Sequence, residues 1–485
     1  MKRKSLLIFL PVLAILCFTG CSSDDDDSTN TTTTPTTNTT TETTLTDNQK
    51  LNTFTYEMLK DYYYWTTSLP SSVKSFPDEE PATWLDSLRY KDDKWSYIEK
   101  EETSSSTTKA FSTGDKIYTT GFGFDISFGS FTNTSEYFAF VNFVYKGTPA
   151  ETAGIKRGDI IIKIDGSAIT TSNYMKLYNA TSLTLTMGTY DKTSGSISAS
   201  TGSPLTLSNA TYWGDPVNYY SIITKGSKKI GYLMYTDFAS AADDEMDAVL
   251  QKFKDANVTD VILDLRYNSG GEVSSFVHLC SELAPSTSVK SGALLLQNTW
   301  NDTYMAAIKK AGKEKSLNNY FDPTVTLNLN MDHVYILTGY MTTSASESTI
   351  IGLQPYMTVT TIGATTYGKC YGGPIFNPSD YKSSWSSLDS WMLYCIGYKT
   401  ANASGYTDFY DGITPTLSVD QDIETVPVGD ESDGLLSVAL AKITGTSATT
   451  KSSSRVSLLK LNKSWVNAKG ILRTEQYQKL PVKME

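Results

Sequence analysis

Ser344 and Lys369 stand 25 residues apart, in the stretches Thr343-Ser344-Ala345-Ser346-Glu347 and Tyr367-Gly368-Lys369-Cys370. A serine hydroxyl becomes a nucleophile when a nearby base takes its proton, and a lysine can be that base once its amine is neutral. Neutrality requires the lysine pKa to fall from about 10.4 to about 7 or 8 by desolvation, at a cost on the order of 4 kcal/mol. The expected site is therefore dry and tightly packed, with Tyr367 and Tyr371 as candidate walls. A histidine base is poorly supplied. The chain has two histidines, His278 and His333, neither in a motif that would serve a serine, and no Gly-x-Ser-x-Gly elbow. In isolation Ser346 and Ser348 are equally good hydroxyls, and Glu347 reads as a structural helix residue.

The elements that must position this pair are strands alternating with helices. Ile230 to Phe238 reads as a strand. Ser240 can cap a helix bearing Met246, Val249, Leu250 and Phe253, and Val258 to Leu265 is an apolar strand. Asn268-Ser269-Gly270-Gly271 turns into a helix carrying Val273, Phe276, Val277 and Cys280, with His278 off its apolar stripe as a surface or supporting residue. His333 to Thr338 is a strand, Ser344 to Leu353 a helix and Val359 to Gly363 a strand. Such βαβ succession calls for a parallel sheet with helices on its faces. Ser344 opens its helix after a strand, so nearby N–H groups point toward a developing oxyanion. A competing match, Gly363 to Cys370, fits a phosphate-binding loop except that its last residue is Cys370 instead of Ser or Thr. That substitution removes a metal ligand.

Upstream, Leu51, Phe54, Met58 and Tyr62 recur at helical spacing, with Asp47 as cap and Pro70 as stop, and Trp84, Leu85 and Leu88 follow Pro81 in the same manner. Tyr62 to Trp65 read as packing. The segment after them is strand-like: Gly121-Phe122-Gly123-Phe124, then Gly147-Thr148-Pro149-Ala150, Gly158-Asp159-Ile160 and the turn Asp165-Gly166. It resembles a PDZ domain, with Gly121, Phe122, Gly123 and Phe124 in place of the carboxylate-binding loop, a backbone nest for an anion.

Asp264-Leu265-Arg266-Tyr267-Asn268-Ser269-Gly270-Gly271 resembles the Asp-Leu-Arg-x-Asn-x-Gly-Gly signature of the C-terminal processing, or tail-specific, proteases. The stretches around Ser344 and Lys369 resemble that family's nucleophile and base motifs at its own spacing, and Gly412-Ile413-Thr414-Pro415 follows. The resemblance spans roughly residues 50 to 440. It implies an α/β protease core of the ClpP/crotonase type with an inserted, mostly-β PDZ domain and a small N-terminal helical segment. It further implies a serine endopeptidase with Ser344 as nucleophile and Lys369 as base. The oxyanion donors would be the backbone N–H of Ala345 and one from Gly270 or Gly271. Substrates would be exported proteins or peptides recognised by their free C-termini, with no cofactor and no metal. Family members often place a glutamine four residues after the lysine to orient the amine; here that residue is Gly373. The departure keeps open an alternative, a weak or inactive pseudoprotease that binds peptides through its PDZ domain.

The expected boundaries are 1–20 signal peptide, 21–48 tether, 49–112 helical segment, 113–212 PDZ domain, 213–445 protease core and 446–485 C-terminal extension. Lys2, Arg3 and Lys4 precede an apolar run from Leu6 to Phe18 that is too short to span a bilayer, and Phe18-Thr19-Gly20-Cys21 resembles a bacterial lipoprotein cleavage box. Cys21 is the expected lipidation site. The acidic run Asp24 to Asp27 resembles the export tags of Bacteroides-type surface lipoproteins, and that resemblance implies a lipid-anchored protein of the cell envelope, at the periplasmic or the outer face of the outer membrane. Ser28 to Thr44 is almost wholly Thr, Asn, Ser and Pro and cannot repay its ordering entropy. A net charge of -11 argues against nucleic-acid partners. With Cys17 lost and Cys21 lipidated, Cys280, Cys370 and Cys395 remain, an odd number that leaves at least one thiol outside any intramolecular pair. Whether Cys370 pairs with Cys395 stays open, and the cysteine spacings offer no zinc site.

Overall fold

The computed structural model describes residues 45–100, 116, 118–131, 135–191, 196–419, 424–446 and 465–467; the signal segment, Cys21, the tether and most of the C-terminal extension lie outside them. The first helix, α1 (Asp47–Tyr62), is capped by Thr46 instead of Asp47, because the Gln49 side chain reciprocates and closes a capping box. It ends at Tyr62, well before Pro70. There the chain is held by other partners: the Tyr64 amide donates to Ile396, and the Asn301 side chain donates to the carbonyls of Asp61 and Tyr63. Tyr62 to Trp65 pack in an apolar cluster with Trp95, Leu393 and Ile396, in keeping with their reading as packing residues.

In the next segment β1 (Phe124–Phe131) pairs antiparallel with β2 (Tyr137–Val144), and strands at Ile160–Ile164 and Ser182–Asp191 extend the sheet. Phe122, Ile126, Val141, Ile161 and Leu185 form a core of its own. Asp165 and Gly166 both have positive φ, 50° and 77°, as a two-residue hairpin turn requires. The strand Ala210–Trp213 returns to pair with Tyr118–Gly121, and Trp465–Asn467 pairs with the Gly129–Phe131 end of β1.

The central sheet has six strands in sequence order: β3 (Val217–Lys225), β4 (Lys228–Tyr235), β5 (Asp260–Asp264), β6 (His333–Thr338), β7 (Thr358–Gly363) and β8 (Leu417–Ser418). The β3–β4 hairpin is antiparallel and every later pairing is parallel. Alternate residues feed two cores. Leu233, Leu263 and Ile336 face α2 (Asp243–Asp255), α3 (Val273–Leu283) and α4 (Ala345–Leu353), while Tyr232, Ile262 and Leu337 face α5 (Gly434–Thr444). With both faces covered, the strands read as apolar runs. Ser240 does not cap α2; it opens a short 3-10 turn and donates its hydroxyl to Glu272. Three acids, Asp243, Asp244 and Glu245, then occupy the first turn of α2, where the helix dipole favours negative charge.

The charged residues of the Asp264–Gly271 stretch build a buried girder. Arg266, almost fully buried, donates through Nε to Asp264 and through both Nη atoms to Asp433, which also receives Arg157 of the β-rich segment. Burial opposes ionisation of Asp433, but Arg266 and Arg157 hold its carboxyl well below the usual range. Asp433 in turn caps α5, accepting from the Leu435 and Leu436 amides.

Candidate active site

The loops after β5 and β6 leave the sheet at the carboxyl ends of neighbouring parallel strands, the edge where open α/β sheets bind ligands. Asn268 ties the two loops together. Its side chain accepts from the Gly270 amide and donates to the Tyr235 carbonyl, while its own carbonyl accepts from the Thr343 amide and the Ser346 hydroxyl. Ser346 is thus buried and engaged, which removes it as a nucleophile.

Ser344 is the N-cap of α4 at φ 55° and ψ -114°. A side chain rarely occupies that region, and its strain is of order 1–3 kcal/mol, held only where surroundings over-determine it. The same sharp strand-to-helix turn exposes the serine in nucleophile elbows, here without their glycines. Gly270 is what admits it: at φ 105° it lies so close that a Cβ there would sit 2.8 Å from the Ser344 Cβ and 3.1 Å from the Ala345 nitrogen. Because the Gly270 amide is committed to Asn268, the donor left beside Ala345 is Gly271, whose N–H has no acceptor among the described residues.

Glu347 joins the serine to the lysine. Its fully buried carboxylate accepts from the Ser344 amide at 3.0 Å, the Lys369 amide at 2.8 Å, the Gly368 amide at 2.7 Å and the Thr366 hydroxyl. Burial pushes this carboxyl up to about 7, and the four donors pull against that rise. Thr366 is itself fixed by the Ile413 amide at 2.7 Å, which is what the Gly412-to-Pro415 stretch contributes. In sequence Glu347 reads as a structural helix residue, although its place three residues after Ser344 is the capping-box position.

Lys369 is 5% exposed, and its Nζ lies 4.9 Å from the centre of the Tyr394 ring. Ser344, Ala345, Gly271 and Lys369 line one cleft with Val273, Phe276 and Tyr371. Tyr371 is a wall, as expected, backed by Trp65 at 4.9 Å and Trp95 at 5.5 Å; Tyr367 instead packs in the N-terminal cluster. At Gly373 a Cβ would meet the Cys395 carbonyl oxygen at 1.7 Å, so no side chain can stand where an orienting glutamine would. Cys280, Cys370 and Cys395 are all buried free thiols, which leaves the open pairing of Cys370 with Cys395 unformed. No helix follows Lys369; the chain enters the strand Tyr371–Gly372, which removes the phosphate-loop reading. His333 bonds Thr360 and His278 bonds Asp247.

The loop Gly121 to Phe124 lies between the strand Tyr118–Gly121 and β1, with the carbonyls of Phe122 and Gly123 accepting from the Ala150 and Tyr145 amides. Phe122 itself is buried in the β-rich core.

Comparison with known proteins bears on the family and the fold. The model of the peptidase family S41 matches residues 229–419, that of the peptidase S41 N-terminal domain residues 50–97, and that of a PDZ domain residues 140–175. A Staphylococcus aureus (strain COL) protein named as a CtpA-like serine protease is 23% identical over 419 residues, covering 81% of this chain and 72% of its own. A carboxyl-terminal-processing protease of Synechocystis is 24% identical over 268 residues, 54% of this chain and 55% of its own. The crystal structure of a protein described as an S41 protease from Bacteroides fragilis NCTC 9343 superposes with a TM-score of 0.66 at 25% identity, over 81% of this chain and 97% of its own. The chain belongs to peptidase family S41, the serine proteases of the C-terminal processing type, and carries their PDZ domain.

Proposed function

We propose that the protein is an active endopeptidase with Ser344 as nucleophile, Lys369 as base, and the Ala345 and Gly271 amides as oxyanion donors. One observation carries the reading: the strained Ser344 and the buried Lys369 line one cleft and are tied to each other through Glu347. Lys369 takes the Ser344 proton as the hydroxyl attacks the scissile carbonyl, and the two amides receive the charge that develops on its oxygen. The protonated amine then donates to the leaving nitrogen, and water repeats the sequence on the acyl-enzyme. Substrates are exported proteins or peptides whose free C-termini dock at Gly121 to Phe124 and extend along β1. Cys21 carries a lipid that holds the enzyme at the outer membrane. Degradation of an unstructured protein by the purified chain, abolished by Ser344→Ala, is the test.

The closed space at Gly373 favours a second reading, a weak or inactive protease that retains peptide binding. Undiminished peptide binding by a wild-type protein that hydrolyses nothing would select it.

A further inference from the structure

On the far side of α3 from the cleft-facing Phe276, that helix lies beside α2 and three potential ligands converge. Asp247 comes from α2, and His278 and Glu282 stand one turn apart on α3. The His278 Nε2 is 2.7 Å from Asp247 Oδ1 and 3.6 Å from Glu282 Oε2, and one ligand atom from each of the three lies within 4.8 Å of the others. Glu282 is fully buried, and neither of its carboxylate oxygens accepts a hydrogen bond from a donor among the described residues. A buried carboxylate left so is costly and asks for a cation. The charged groups bearing most on it, Asp247 and Asp243, are both acids, and Asp243 is already engaged by the Ser275 hydroxyl.

We propose that Asp247, His278 and Glu282 form a divalent-cation site that staples α2 to α3, with zinc as the ion it fits best. Bonds of 2.0–2.1 Å in tetrahedral array place neighbouring ligand atoms about 3.3 Å apart. The separations of 2.7 and 3.6 Å bracket that value, so small rotations of Asp247 and His278 complete the geometry. Both side chains are partly exposed, at 39% and 23%, which gives the ion an entry path and leaves a fourth position for water. One imidazole with two carboxylates suits zinc better than calcium or magnesium, which prefer all-oxygen shells. Two ionised carboxylates and a neutral imidazole also balance the ion's charge. The site departs from the expectation of no metal, which rested on the family resemblance and on the cysteine spacings. It is structural and touches neither Ser344 nor Lys369. Its consequence for the protease is mechanical, since α3 starts just after Gly271 and supplies Val273 and Phe276 to the cleft.

The competing arrangement is a proton shared between Asp247 and Glu282; burial, with Asp247 beside it, pushes Glu282 up to about 9. Calorimetric titration of tag-free, chelator-stripped protein with zinc chloride separates the two. The expected result is one zinc per chain, a melting temperature raised by several degrees, and little response to calcium or magnesium. Glu282→Gln, which mimics the protonated acid and should fold, and Asp247→Asn, at a partly exposed position, should each weaken zinc binding at least about tenfold. Absence of saturable zinc binding, or equal binding by wild type and both variants, would overturn the proposal in favour of the shared proton.

Discussion

At the scale of single residues, the site turns on a carboxylate that does no bond-making. Glu347 receives four donors, the amides of Ser344, Gly368 and Lys369 and the Thr366 hydroxyl, so Glu347→Gln places an amide N–H2 against N–H groups that need an acceptor. We expect a stability loss of about 1–3 kcal/mol and a kcat about tenfold lower or worse, with KM changed less, measured by urea unfolding and peptide kinetics. The pH dependence has a definite sign. A carboxyl raised by burial to about 7 binds its proton more tightly in the folded state than in the unfolded one. Its contribution is therefore complete below the ordinary glutamate range and lost as pH rises through 7. Relative to Glu347→Gln, the wild type should lose on the order of 3 kcal/mol of unfolding free energy between about pH 4.5 and pH 8. A flat difference across that window would remove Glu347 as the titrating group. Ser346→Ala, which gives up one hydrogen bond to Asn268, should cost about 1 kcal/mol of stability and leave most activity.

At the scale of elements, the PDZ loop provides the test of substrate choice. Amidating the C-terminus of a peptide removes the charge that the Gly121-to-Phe124 nest would bind, so cleavage below saturation should slow, chiefly through weaker binding. Equal rates for acid and amide would end that reading. Gly123→Val is a poorer probe, because at φ 88° its Cβ would overlap the Thr148 Cβ at 2.1 Å and disturb the fold itself. The strands and helices around Ser344 were legible from periodicity because both faces of the sheet are buried and α2 has one apolar face. What could not be read was which polar residues belong to the site. Asp264 and Arg266 look chemical in sequence, yet they form a buried strut with Asp433, 167 residues after Arg266, a pairing that no local pattern encodes. Conversely, Asn268, Thr366 and Tyr394 reach the site only through loop contacts and ring placement. The true end of α1 was hidden for the same reason, since Ile396 and Asn301 decide it.

At the scale of the whole molecule, the PDZ domain is joined to the protease core by Arg157, buried against Asp433 and Tyr267, and by Tyr340, shortly before Ser344 in the chain, whose hydroxyl donates to Ser127. Arg157→Met should cost about 3 kcal/mol, less than a pair stripped of all partners because Arg266 still neutralises Asp433, and urea unfolding would read it. The proposed lipidation of Cys21 predicts that the chain, once exported, sediments with membranes and that Cys21→Ser releases it into the soluble fraction; a wild type soluble after export would contradict it. The central claim, that a lysine and not a histidine drives this serine, is tested most directly by the rate at which the full chain degrades an unstructured protein. Wild type should degrade it. Ser344→Ala and Lys369→Ala should each fall by about a thousandfold or more with circular dichroism unchanged, because two groups acting as a unit fail together. Full activity in folded Lys369→Ala would contradict the account.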